Sequence, residues 1–307
     1  MSASRLEAFW ECPYKFFSRT YLNLFDEDDL EIEPSPQAKG QWLHSAAEKI
    51  LKSDKALSQW TSDDLSQLVD SLDQVQQKIS SDIWKNIRSR FVRQLHHFVK
   101  SEMEWARQFP KSRPVAFEAP IQGVLSWMPL KSSQRDEETS PVSLSNVKSG
   151  EFWVKFQGSV DRVDLTEDGR ALIVDYKSGS ASSRHISTWN KNGSFQLTLY
   201  SAALEAGLVL GYQNLKVVAA QYYVLKNMKR DRGFWNVDEN LEGILPLARS
   251  QSAISRAEQE KYFGEIQESV QMILEQIRSG VFTPEPRDTK VCSHCSSRLS
   301  CRAKHLL

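Results

Sequence analysis

The sequence predicts an α/β fold with a mixed central sheet flanked by helices, and three observations carry that prediction. Apolar residues recur at helical spacing through much of the first third of the chain. Strand-like runs, "PVAFEAPIQGVLSWMPL", "EFWVKFQGSVDRVDL" and "ALIVDYKSG", then stand close together, the last two around the turn "TEDG". After them, helix and strand patterns alternate to the end: a helix at about 194–207, a strand "LKVVAAQYYVLK", a strand around "GFWNV" and a long helix over about 253–279.

The 307 residues are 40% apolar and 25% charged, enough for an ordinary buried core. Lysine plus arginine equals aspartate plus glutamate at 39 each, so an overall basic bias toward nucleic acid is excluded and any phosphate-binding surface must be local. No stretch of about 18 apolar residues occurs, and "MSASRLEAFWECPYKFF" has no basic region leading into an apolar one. The expectation is a cytoplasmic protein without a membrane segment. No internal repeat and no G-x-x-x-x-G-K-[ST] motif is present, so the chain carries no P-loop motor.

Taken in order, Ser4 and Glu7 read as the capping box of a first helix, which Pro13 interrupts before "YKFFSRTYLNL" resumes it. An acidic loop, "DEDDLEIEPSPQAKG", follows. From Gln41, the spacing of Leu43, Ala46, Ala47, Ile50 and Leu51 makes one apolar helix face with His44 at its edge. Residues 57–108 are mostly helical by period and read as a helical insert, spanning 53–112 with its flanks, which Pro110 and Pro114 close. The polar stretch 131–150 reads as a flexible hairpin loop between two strands.

Within "GSVDRVDLTEDGRALIVDYKSGS", side chains alternate along the strand, so Asp175 and Lys177 face one side while Leu172, Val174 and Tyr176 face the other. A hairpin at "TEDG" pairs the strand of Asp161 with that of Asp175, and the two carboxylates can converge near one end of the sheet. Converging carboxylates repel unless a cation sits between them, and hard oxygen ligands suit Mg²⁺ or Mn²⁺. A solvent-exposed Asp175–Lys177 salt bridge would give the same two-residue spacing. Gln196 and Tyr200, four apart in "QLTLY", share one helix face, and His44 offers a further metal-compatible ligand. Singly, each of these three residues is also an ordinary amphipathic or core residue.

Four cysteines are distributed unevenly, with Cys12 near the start and Cys292, Cys295 and Cys301 near the end. Four thiolates suffice for a tetrahedral zinc or a 4Fe-4S cluster, and the spacing alone favours neither. Disulfides do not fit a reducing compartment. The basic turn "LKNMKRDRGF" offers a phosphate contact, although an exposed charged hairpin produces the same pattern.

In that order the blocks "CPYKFF", "KGQWLHSAAEKIL", "GSVDRVD", "VDYKSG", "QLTLY" and "CSHCSSRLSCR" resemble the PD-(D/E)XK nuclease superfamily, in its RecB-like exonuclease branch with an iron-sulfur cluster, and are similar to AddB-type nuclease domains and the nucleases of CRISPR adaptation. The blocks run from residue 4 to residue 302, nearly the whole chain, and the resemblance implies one nuclease domain over 1–307 with a restriction-endonuclease-like core. It implies metal binding by His44, Asp161, Asp175 and the main-chain carbonyl of Tyr176, with Mg²⁺ or Mn²⁺ as the ion. It also implies a catalytic Lys177, and Gln196 and Tyr200 supporting the site and the DNA strand. Glu118 in "FEAPI" is similar to an acidic position before the first core strand but stands in less distinctive surroundings, and it is left outside the catalytic set. Asp175 occupies a position where many members carry glutamate, a change that leaves metal binding intact. Cys12 with Cys292, Cys295 and Cys301 is implied to hold a 4Fe-4S cluster, so that 281–307 with Cys12 form a clasp joining the termini. Such a clasp closes a loop of about 280 residues, worth roughly 5 kcal/mol at most.

The function implied is a metal-dependent DNA nuclease, an exonuclease of DNA repair or recombination acting on DNA with single-stranded ends. It would be part of a helicase-nuclease chain or borrow a helicase partner. The alternative is an iron-sulfur module that binds nucleic acid, or supports assembly, without hydrolysing it.

Overall fold

The structure, a computed structural model, describes residues 1–24, 35–72, 81–125, 155–179, 185–213, 215–247, 252–298, 300–301 and 303. The 131–150 loop, the first residues of the "EFWVKFQG" run and most of the acidic loop lie outside them.

Among the described residues six strands form one sheet in sequence order: β1 (Ser112–Gly123), β2 (Phe156–Thr166), β3 (Ala171–Lys177), β4 (Val217–Val224), β5 (Lys229–Asn236) and β6 (Ser252–Ile254). The first three pair antiparallel, β3 and β4 are parallel, β4 and β5 antiparallel, and β5 and β6 parallel. The turn between β2 and β3 falls at "TEDG", where Gly169 takes φ +82, a conformation glycine adopts without a Cβ clash. A parallel neighbour requires a crossover, and the one between β3 and β4 carries the helices α6 (Trp189–Asn192) and α7 (Gln196–Glu205).

The sheet is covered on both faces, which is why β4 is buried throughout and β3 everywhere but its last residue. On one face Ile173, Ala220, Tyr222 and Phe234 meet α1 (Ala3–Glu11), α7 and α8 (Arg256–Arg278). On the other, Val174, Tyr176 and Tyr223 meet α3 (Pro36–Lys52), α4 (Ser62–Ser71) and α5 (Ser81–Gln108). The apolar stripe Leu43, Ala46, Ala47 and Ile50 anchors α3 in that second core.

Two helix starts differ from the sequence expectation. Ser2, not Ser4, caps α1 by accepting from the N–H of Arg5, and Glu7 turns away to a partner elsewhere in the chain. Helix α3 begins at Pro36 rather than Gln41, because Ser35 supplies the cap and proline suits the first helical position. Pro13 does break the first helical run, and α2 (Pro13–Thr20) starts there with Cys12 as the hinge residue.

The chain returns to its start after α8. Phe282 packs among Phe9, Phe16, Phe17 and Tyr21, stacking on Phe17 at 4.8 Å between centroids. The N–H of Arg287 donates to the Glu11 carbonyl at 3.0 Å, and its guanidinium lies 4.0 Å from the Trp10 ring. Aromatic packing thus already joins the two ends.

Candidate active site

Three acidic residues lie in one row across the sheet. Phe117 pairs with Arg162 and Ala119 with Val160, so Glu118 on β1 faces Asp161 on β2. Arg162 pairs with Val174, and the next step of that ladder sets Asp161 against Asp175 on β3. Directly opposed residues present their side chains on one face. Glu118 takes φ +46, a costly backbone conformation for a residue with a Cβ, and strain of this kind gathers at functional sites.

From the helical layer on the other face, α3 brings the His44 imidazole to this row, with Nδ1 3.5 Å from Asp161 Oδ2 and 3.9 Å from Glu118 Oε1. One ligand atom from each of His44, Glu118 and Asp161 falls within 4.8 Å of the others. Glu118 therefore joins a group from which the sequence reading left it out. Each carboxylate is also oriented: Ser159 Oγ donates to Glu118 Oε2 at 2.7 Å, and the Tyr176 N–H donates to Asp161 Oδ2 at 2.8 Å. The Tyr176 ring lies on the opposite face of the sheet, edge-on to His44 at 5.5 Å between centroids.

Asp175 stands beside this triple and not within it. Its side chain is fully buried, with Lys177 Nζ 2.6 Å from Oδ2. The ammonium pairs with that oxygen, while Oδ1 has no hydrogen-bond partner among the described residues. Lys177 Nζ also donates to Gln196 Oε1 at 2.7 Å, and Gln196 Nε2 donates to the Tyr200 hydroxyl at 3.2 Å. Lys177, Gln196 and Tyr200 thus form one chain, with the latter two a helical turn apart on α7.

Electrostatics follow from this crowding. Burial, with repulsion from Asp175 and Glu118, raises the Asp161 carboxyl well above the usual range. Burial also raises Asp175, against the pull of Lys177. Burial lowers His44, favouring the neutral imidazole that ligates metals. For Lys177, burial favours the neutral amine, but the Asp175 carboxylate outweighs it and holds the ammonium charged. Crowded carboxylates, with Asp175 Oδ1 buried and without a partner among the described residues, are a donor set that a divalent cation would relieve, so the residues fit a hard metal ion.

Two further contributors were not legible locally. Glu7 accepts from the N–H groups of Phe195 and Gln196 at 2.8 and 3.0 Å, capping α7 from α1. Behind the site, Arg162 makes a bidentate pair with Asp164 and reaches Glu102 at 2.8 Å, and Arg230 also bonds Glu102. The Arg230 guanidinium lies 4.0 Å from the Trp105 ring and 4.2 Å from the Tyr223 ring. Both arginines keep Glu102 ionised despite its burial, and the network braces β2 from the face opposite Asp161.

The four cysteines come together. Cys12, Cys292, Cys295 and Cys301 line one cavity of about 30 Å³ beside Lys15 and Arg298. Burial, and the nearness of Cys295 and Cys301, push the Cys12 thiol up. Four thiols of one cavity fit a thiophilic metal or cluster, whose positive charge would reverse that shift.

A mixed sheet layered between helices, with a row of acids and a lysine at the end of a central strand, is the architecture of a restriction-endonuclease-like core. The chain belongs to the PD-(D/E)XK nuclease superfamily, which matches residues 1–302. It is similar to a subunit of the ATP-dependent helicase/deoxyribonuclease of Carboxydothermus hydrogenoformans, 28% identical over 258 residues that cover 80% of this chain and 21% of that protein. The corresponding protein of Streptococcus pyogenes is 26% identical over 262 residues, covering 85% and 22%. That of Enterococcus faecalis is 25% identical over 239, covering 74% and 19%. The chain thus spans about a fifth of the length of these curated relatives. Among the described residues no helix is long and apolar enough to cross a membrane.

Proposed function

We propose that the chain is a Mg²⁺- or Mn²⁺-dependent deoxyribonuclease, an exonuclease module working with a helicase in DNA repair or recombination. The observation that carries this is the row Glu118, Asp161 and Asp175, with His44 against Glu118 and Asp161 and Lys177 beside Asp175. The relatives' name supplies the DNA substrate and the helicase setting.

His44, Asp161 and Asp175 would hold the ion, with Glu118 as a further carboxylate. Within a strand the N–H and carbonyl of one residue point toward the same neighbour. Since the Tyr176 N–H meets Asp161, its carbonyl is aimed to serve as an extra ligand. When bound, the ion lowers the pKa of a water and offsets charge building on the phosphate. Lys177, kept protonated by Asp175, presents an ammonium that orients the attacking water or neutralises the same charge, while Gln196 fixes its position and Tyr200 fixes Gln196.

The four cysteines would hold a 4Fe-4S cluster that cross-links the α1–α2 hinge to the end of the chain. The convergence of all four on one cavity supports that reading. Cleavage of end-labelled and circular single- and double-stranded DNA, with Mg²⁺, Mn²⁺ or chelator, tests the function. Activity on ended substrates that stops with chelator is expected, and undiminished activity in chelator would contradict it.

A further inference from the structure

A cleft of about 800 Å³ lies outside the site, between α5 and the β4–β5 hairpin. Its helical wall presents Arg90, Arg93, His97 and Lys100, all exposed, at steps of three, four and three residues, which is one stripe of a helix. Lys226 faces them from the hairpin. None of the four permanent cations makes a hydrogen bond or salt bridge among the described residues. The lining acid, Glu104, is already engaged by Arg107 and Gln108, so the cleft carries a clear positive excess. A chain with no net charge that gathers unpaired cations along one groove is set up for a polyanion.

The cleft also abuts the catalytic strand. The Leu225 N–H donates to the Lys177 carbonyl at 2.8 Å, and Gln94, in the cleft wall, donates from Nε2 to the Leu225 carbonyl at 3.1 Å. Two hydrogen bonds therefore connect the cleft to the backbone of Lys177, at the end of the sheet where Asp175 and Lys177 lie.

We propose that this cleft holds the phosphate backbone of a single DNA strand next to the catalytic end of the sheet, an inference that rests on the nuclease reading for the identity of the polyanion. The stripe from Arg90 to Lys100 is ~15 Å long, enough for several phosphates of one strand. No Phe, Tyr or Trp side chain lines the cleft, so it offers little platform for base stacking beyond the His97 ring and holds the strand chiefly by charge, without sequence preference.

The test is equilibrium binding of a fluorescein-labelled oligothymidylate to the intact chain in chelator, at a series of salt concentrations, for wild type, the double variant R93E/K100E and, from the other wall, K226E. Melting followed by circular dichroism checks that each is folded. At about 100 mM salt the double variant is expected to bind at least about tenfold more weakly, with a salt slope shallower by about 1.4, since each single-strand phosphate contact contributes about 0.7; K226E is expected to lose about half of that slope change. Folded variants that bind with wild-type affinity and slope would overturn the cleft assignment and leave the nuclease reading standing. Binding lost in the variants, while wild type cleaves no DNA with any divalent metal, would uphold the cleft and overturn the nuclease reading.

Discussion

The carboxylate of Glu7 on α1 accepts a 3.0 Å hydrogen bond from the N–H of Gln196, 189 residues away, at the start of α7. Gln196 in turn accepts from Lys177. The helix that ends at Cys12 therefore sets the position of the helix that holds Lys177. Burial raises Glu7 to about 7 from an ordinary 4.5. Between those values the folded chain retains a proton that the unfolded chain has lost, so this group's contribution to stability is largest at low pH. It declines as pH rises from 4.5 through about 7, by roughly 3 kcal/mol at most. Glu7→Gln keeps an acceptor for both N–H groups and removes the titration. Measured by urea unfolding in chelator, the stability difference between Glu7→Gln and wild type should grow in the variant's favour across that pH range; parallel profiles would remove Glu7 as the cause.

Asp161 is held in a crowded, buried row, so its charge opposes folding until a cation arrives. Asp161→Asn should raise the melting temperature in chelator, by a few degrees, and abolish the further rise that Mn²⁺ gives wild type. A variant that melts lower in chelator and still responds to Mn²⁺ would show that the aspartate is structural.

Glu102 is shared by two buried arginines behind β2. Removing it leaves buried cations underpaired, and Glu102→Ala should cost on the order of 3–5 kcal/mol in denaturant unfolding. A loss of less than about 1 kcal/mol would mean that Asp164 and the aromatic rings suffice.

Cys12→Ala should lose iron and acid-labile sulfide together, with faster proteolysis at both ends. Because Phe282 still packs among Phe9, Phe16 and Phe17, the core should stay folded. Stoichiometric zinc without sulfide in anaerobically prepared wild type would replace the cluster with a zinc site.

The sequence displays what is local and periodic. Asp175 and Lys177 stand out because they interrupt an apolar strand that is buried on both faces, and Gln196 and Tyr200 because a helix puts them one turn apart. His44 lies at the edge of a readable apolar stripe. Glu118 was obscured because its role depends on the β1–β2 register, set by a bulge between Pro114 and Ala116, and on a positive φ. The Glu7 partner is 188 to 189 residues distant, and its spacing from Ser4 imitates a cap that Ser2 provides instead. Strand β6 spans three residues, too short for any period to mark it. Arg162 and Asp164 sit in the same motif as Asp161, and alternation turns them to the opposite face, but only the fold reveals that Arg162 there meets Glu102.

Single-turnover cleavage of end-labelled DNA by Lys177→Ala, with Mn²⁺ binding measured on the same preparation, tests the central claim most directly. Lysine is assigned to the chemistry and not to the ion, so cleavage should slow by a factor on the order of 10² or more while Mn²⁺ affinity is retained. Cleavage at the wild-type rate would contradict the account and reduce the Asp175–Lys177 contact to a salt bridge.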